Sequence, residues 1–101
     1  MSAAAPVILP EQETKQRTMP LWNVIILNDD HHSMPFVAGV IMVVFKKEMD
    51  EAIEIMKTAH ETGRAICTTC PKERAELYLE QVATYKEGPK GAVGCEMEPA
   101  E

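Results

Sequence analysis

Basic residues are scarce in this chain: ten lysines and arginines stand against sixteen aspartates and glutamates, leaving a net charge of −6 over 101 residues. Binding to a phosphate backbone normally rests on clustered Lys and Arg, so nucleic acid is not the expected partner and a cationic ligand suits the chain better. Long apolar runs are missing as well. The longest, Val37 to Phe45, is about half a membrane span, and the opening MSAAAPVILPEQE lacks the charged n-region and apolar h-region of a secretory leader. No membrane association and a cytoplasmic location are the expectations. Three cysteines, an odd number, do not make a disulfide framework, which fits a reducing compartment. Nucleophile elbow, phosphate loop and metalloprotease helix signature are all absent, which removes the commonest motif-bearing enzyme classes.

What is present fits one domain with one core. The first twenty residues mix Ala, Pro, Glu, Gln and Thr without a sustained period and are expected to form a flexible extension, leaving 21–101 as the folded part. Leu21 to Asn28 is rich in β-branched and aromatic side chains and is stopped by Asn28, Asp29 and Asp30, as a strand entering a turn should be. Ser33 and Pro35 mark a helix start, and Lys46 and Lys47 lie near its C-terminal end, where cations suit the macrodipole. Asp50 is the expected cap of a second helix over EAIEIMKTAHET, closed by Gly63 in the left-handed conformation. RAICTT (64–69) reads as strand two, Pro71 as the first turn of a third helix running to 87, and AVGCEME (92–98) as a last strand. The order βααβαβ predicts a small two-layer α/β (α+β) sandwich: a three-stranded antiparallel sheet packed by three helices.

The cluster NDDHHSM at 28–34 is the most conspicuous chemistry in the chain. Asp29 and Asp30 could act as acid and base with His60 nearby, but adjacent residues at a strand end point in different directions. His31, His32, His60 and the two aspartates offer metal donors, although their spacing matches no familiar zinc pattern. Cys67 and Cys70 form a C-x-x-C that Cys95 could approach; because Cys67 falls inside a strand rather than at a helix N-terminus, a small buried hydrophobe fits it better than a redox thiolate. A further reading takes in the most residues at once. Asn28, Asp29, Asp30 and His60 supply acceptors for an ammonium group, while Ile26, Met34, Val37, Met56 and Ala59 supply an apolar wall. Met56 and His60 are one helical turn apart, so both can come from one face. On residue chemistry alone, plain core packing explains the same apolar positions.

The combination NVIILNDDHHSMPFV, then IMKTAHETGRAIC, then an apolar-Cys strand near the C-terminus, resembles the ClpS family of adaptor proteins over roughly residues 20 to 98. The resemblance implies a small α/β domain with an N-terminal extension, no enzymatic activity and no cofactor or metal. It implies an adaptor that binds proteins beginning with Leu, Phe, Tyr or Trp, the N-degrons, and delivers them to a AAA+ unfoldase of the ClpA or ClpC type for degradation by ClpP. A monomer is expected. Carried over by position, Asn28, Asp29, Asp30 and His60 match the groups around the substrate α-amino group. Ile26, Met34, Val37, Met56, Ala59 and Val93 match the pocket for the first side chain, with Met34 as the gatekeeper that disfavours β-branched residues. Glu73 matches an acidic position on the unfoldase-docking face. Ala59 and Val93 stand where family members commonly carry Val and Leu, so a roomier pocket is expected. His32 stands where a hydroxyl residue is frequent, and Tyr78 where a basic one is often found.

Overall fold

The structure is a computed structural model that describes residues 19–29 and 31–100. Asp30, and all but the last two residues of the expected N-terminal extension, lie outside the described residues. The elements are β1 (Leu21–Leu27), α1 (Met34–Phe45), α2 (Met49–Thr62), β2 (Arg64–Pro71), α3 (Lys72–Thr84) and β3 (Cys95–Pro99), with a 3-10 turn at Gly88–Lys90 before the last strand. This is the βααβαβ order the sequence predicts, with β1 central in an antiparallel sheet ordered β2-β1-β3.

Alternation along β1 sends Trp22, Val24 and Ile26 to the face covered by the helices. There they meet Val40, Ile41, Val44 and Phe45 of α1, Ala52 and Ala59 of α2, and Ala75 and Val82 of α3 in one core. The Phe45 and Tyr78 rings pack at 4.9 Å between centroids, so Tyr78 is half-buried against α1 rather than a free surface residue. On the other face Arg64 reaches Glu96 at 3.1 Å and Glu98 at 3.0 Å; such exposed pairs contribute little.

The boundaries differ from expectation in ways that matter for the site. The cap of α2 is Glu48, not Asp50. Asp50 sits inside the first turn, its carboxylate accepting from the Glu51 N–H at 2.8 Å, where a negative charge suits the helix N-terminus. Helix α3 stops at Thr84 rather than 87, and β3 begins at Cys95 rather than Ala92. The intervening stretch folds into a tight return in which Lys86 and Ala92 form an isolated bridge and Gly91 adopts φ 77°. Glycine takes up that conformation without a Cβ penalty. β2 runs on to Pro71, with a bulge: Val24 faces Thr68 while the next residue, Ile25, faces Ile66. The extra residue keeps Ala65, Cys67 and Cys70 all buried in the core, although strict alternation would put Cys70 on the opposite face from Cys67.

Two backbone bonds fix the end of β1. Leu27 N–H donates to the Gly94 carbonyl and Asn28 N–H to the Gly63 carbonyl, each at 2.9 Å. The polar segment after β1 is thereby held between the C-terminal end of α2 and the strand leading into β3.

Candidate functional site

A cleft of about 160 Å³ opens where β1, α1 and α2 meet, lined by Leu27, Asn28, Asp29, His32, Met34, Val37, Met56, Ala59 and His60. Helical geometry explains the company. Met34 and Val37 are three residues apart on α1, and Met56, Ala59 and His60 are spaced three and four apart on α2, so each helix presents one stripe to the cleft. The sheet contributes the end of β1 and the acidic residue beyond it. Met34 is 49% exposed at the rim, whereas Ala59 is buried at 3%.

Most sequence-predicted site residues therefore come together: Asn28, Asp29, His60, Met34, Val37, Met56 and Ala59. Two do not reach the cleft wall. Ile26 is wholly buried and Val93 is 4% exposed, both in the core. Ile26 points into the core beneath the helices, and Leu27, the last residue of β1, is the strand residue that lines the cleft. Asp30 lies outside the described residues. Glu73 is exposed in the first turn of α3, whose Lys72 ammonium lies 5.5 Å from the Trp22 ring centroid.

His32, like Leu27, lines the cleft without being among the assigned site residues; its sequence signals were the Asp-Asp-His-His run and its place where a hydroxyl residue is frequent. The Asp29 carboxylate accepts from the backbone N–H groups of His31 and His32, each at 2.9 Å, and from the His32 ring Nδ1–H at 2.8 Å. The other ring nitrogen of His32 donates to the Gly91 carbonyl at 2.9 Å. Burial pushes the Asp29 carboxyl up, but the hydrogen bonds from His32 backbone, His32 ring and His31 backbone outweigh it and hold the group below the usual carboxylate range. The Gly91 carbonyl is the largest influence raising His32 above an ordinary histidine; desolvation opposes it, and the bond to Asp29 with the charges of Asp29 and Glu87 adds to it. Ser33 caps α1, its hydroxyl accepting from Phe36 N–H at 3.3 Å, and also donates to Glu87 at 2.7 Å.

The thiols have a different character. Burial pushes Cys67 up to about 12 and Cys95 up to about 11, and raises Cys70 as well. All three are free. Groups that remain thiols at neutral pH are poor nucleophiles and poor metal ligands. Among the described residues, no three His, Cys, Asp or Glu side chains converge as a metal site would need.

Comparison with known proteins decides the family. The family model for the ATP-dependent Clp protease adaptor protein ClpS matches residues 17–94. The chain belongs to the ClpS family. ClpS adapter proteins of Burkholderia mallei (strain SAVP1) and Burkholderia pseudomallei (strain 668) are each 33% identical to it over 93 residues, covering 92% of this chain and 89% of the relative. Among solved structures, Agrobacterium tumefaciens ClpS2 bound to L-phenylalaninamide superposes with a TM-score of 0.74 at 29% identity, covering 79% of this chain and 96% of that one. The chain is thus an adaptor of the Clp protease by family. Among the described residues, no helix is long and apolar enough to cross a membrane.

Proposed function

We propose that this ClpS-family chain is a non-enzymatic adaptor that binds the N-terminal residue of N-degron proteins in the cleft between β1, α1 and α2. The observation carrying this reading is the cleft's two-sided chemistry. Val37, Met56 and Ala59 form an apolar wall, and Asn28, Asp29 and His60 stand on the same opening. A free N-terminus combines an ammonium group with a side chain on the adjacent carbon, and only such a ligand uses both sides at once. L-phenylalaninamide, the ligand of the Agrobacterium ClpS2 structure, has this chemistry. An apolar cavity of about 150 Å³ accepts benzene, so the space of about 160 Å³ accommodates a phenyl ring.

Asn28, Asp29 and Asp30 with His60 are assigned to the α-amino group. Met34, Val37, Met56 and Ala59 are assigned to the side chain, backed from the core by Ile26 and Val93. Charge-assisted hydrogen bonds contribute about 1.5 to 3 kcal/mol each, and burial of one large apolar side chain roughly the same. After association costs, a Kd around micromolar, about −8 kcal/mol, follows. Such an affinity permits hand-over to a AAA+ unfoldase of the ClpA or ClpC type working with ClpP. The exposed Glu73 at the start of α3 is assigned to that docking face. The protein acts without cofactor, as a monomer, in the cytoplasm.

Fluorescence anisotropy with peptides beginning with Leu, Phe, Tyr, Trp, Ile or Val tests the assignment. The first four are expected to bind near micromolar and the last two at least about tenfold more weakly, since branching at Cβ adds bulk where Met34 covers the rim. Equal binding of Ile- and Leu-initial peptides would remove the gatekeeper role from Met34.

A further inference from the structure

Both ring nitrogens of His32 face pure acceptors. Nδ1 lies 2.8 Å from Asp29 Oδ2, and Nε2 lies 2.9 Å from the Gly91 carbonyl. Neither a carboxylate nor a carbonyl can donate, so each contact needs a proton on nitrogen, and a neutral imidazole carries only one. The arrangement therefore requires the imidazolium. The side chain is 4% exposed and its ring stacks on Phe36 at 5.6 Å with an 18° interplanar angle, so water cannot readily replace a lost partner. The two partners, Asp29 and Gly91, belong to segments far apart in the chain that meet at the His32 ring.

We propose that His32 is a positioning residue of the N-terminal-residue site: its imidazolium orients the Asp29 carboxylate and ties the segment carrying it to the Gly88–Gly91 turn. The inference rests on the reading of the cleft given above and adds a residue and a pH dependence to it. Loss of the proton leaves one of the two contacts as an acceptor facing an acceptor, and the tie to Gly91 or to Asp29 opens. Among the described residues, the charged groups around the ring are Asp29 on its own segment and Glu87 on the segment after α3, whose charge is in turn offset by Lys90. His60 lines the same cleft from α2, and α1 contributes the uncharged Phe36. Glu87 forms a second tie between the segments, accepting from Ser33 N–H at 3.0 Å and from its hydroxyl at 2.7 Å. Those bonds hold its carboxyl below the usual range, so this tie stays intact across neutral pH.

The sign follows from the folded-state protonation of the ring. His32 is raised in the folded state, so the imidazolium and both of its contacts are present in the folded protein below that raised value and are lost as pH rises through it. The test measures the Kd of a Phe-initial peptide for the wild type and for His32→Gln from pH 6 to 8.5, with His32→Thr as a second variant should the first fail to fold. Titration of the peptide amino group is common to both proteins and cancels in the ratio. The wild type is expected to bind about fivefold tighter at pH 6, with the ratio falling toward one by pH 8.5. In nitrogen-15 spectra of the wild type, both His32 ring nitrogens are expected to be protonated at pH 6. A pH-independent ratio near one, with the wild type binding normally, would overturn the role of His32 and leave the site standing. A variant that binds more tightly at pH 6 would also overturn it, showing that the imidazolium repels the incoming ammonium. A neutral ring at pH 6 would remove the premise. Failure of the wild type to bind any free N-terminus would overturn both the site and this role, whatever the ring titration shows.

Discussion

A Phe-initial peptide is expected to bind with a Kd near micromolar, and its N-acetylated twin at least about a hundredfold more weakly. Acetylation leaves the phenyl ring unchanged and removes the ammonium, so it isolates the polar side of the cleft. Two charge-assisted hydrogen bonds at about 1.5 to 3 kcal/mol each amount to that factor or more, and the acetyl group adds an uncharged bulk facing Asn28 and His60. Polar groups that lose their charged partner on binding are left desolvated, which enlarges the penalty. Isothermal titration of the two peptides under identical buffer gives the ratio. Equal affinities would mean that the cleft reads a hydrophobic side chain wherever it occurs in a chain, and the role of Asn28, Asp29 and His60 in reading a terminus would be wrong.

The largest effect on stability is expected at Ile26. Its side chain is wholly buried at the centre of the sheet, between Ala65 of β2 and Cys95 of β3, beneath the helix layer. Ile26→Ala removes buried methyl and methylene groups and leaves a cavity, a change that costs about 2 to 5 kcal/mol. Domains of this kind carry about 5 to 15 kcal/mol in total, so the variant loses a large part of its margin. Ile66→Ala is the matched control: that residue is 53% exposed on the outer face of the sheet, and its truncation is expected to cost under about 0.5 kcal/mol. Urea denaturation of both variants checks the pair. A cost below about 1 kcal/mol for Ile26→Ala would show that Ile26 is not the packed centre described here. The same placement predicts that Ile26 acts on ligand binding only through the wall it supports, since Leu27 is the residue of β1 that faces the cleft.

How much of this was legible in the sequence differs from element to element. The βααβαβ order followed from periodicity, and so did the stripe Ala52, Ile55 and Ala59 that α2 turns to the core; of the neighbouring stripe Ile53, Met56 and His60, only Met56 packs against the core. The end of α3 was not legible. YKE after Thr84 continues a helical composition, and only the return through Gly88 and Gly91, with Glu87 accepting from Ser33, stops it. The bulge in β2 was equally hidden. It arises from pairing with β1, and it brings Cys67 and Cys70 to the same side, which strict alternation denies. At the cleft, the polar residue types were visible in NDDHHSM, but their hydrogen-bond partners were not. Asp29 spends hydrogen-bonding capacity on His31 and His32, and the second contact of His32 comes from Gly91, far along the chain. Spacing within a local motif carries no information about such a partner. Val93 and Ile26, which the resemblance groups with the pocket, are buried in the core, since side-chain direction decides which residues reach a surface.

The most direct test of the central claim is a chemical-shift titration of the nitrogen-15 and methyl-labelled protein with L-phenylalaninamide. The account predicts saturable shifts at Asn28, Asp29, Met34, Val37, Met56 and His60, with the resonances of the outer sheet face, such as Ile66 and Thr69, unmoved. Shifts centred instead on the neighbouring groove of Met42, Met49 and Ile53, or no saturable shift at all, would contradict it.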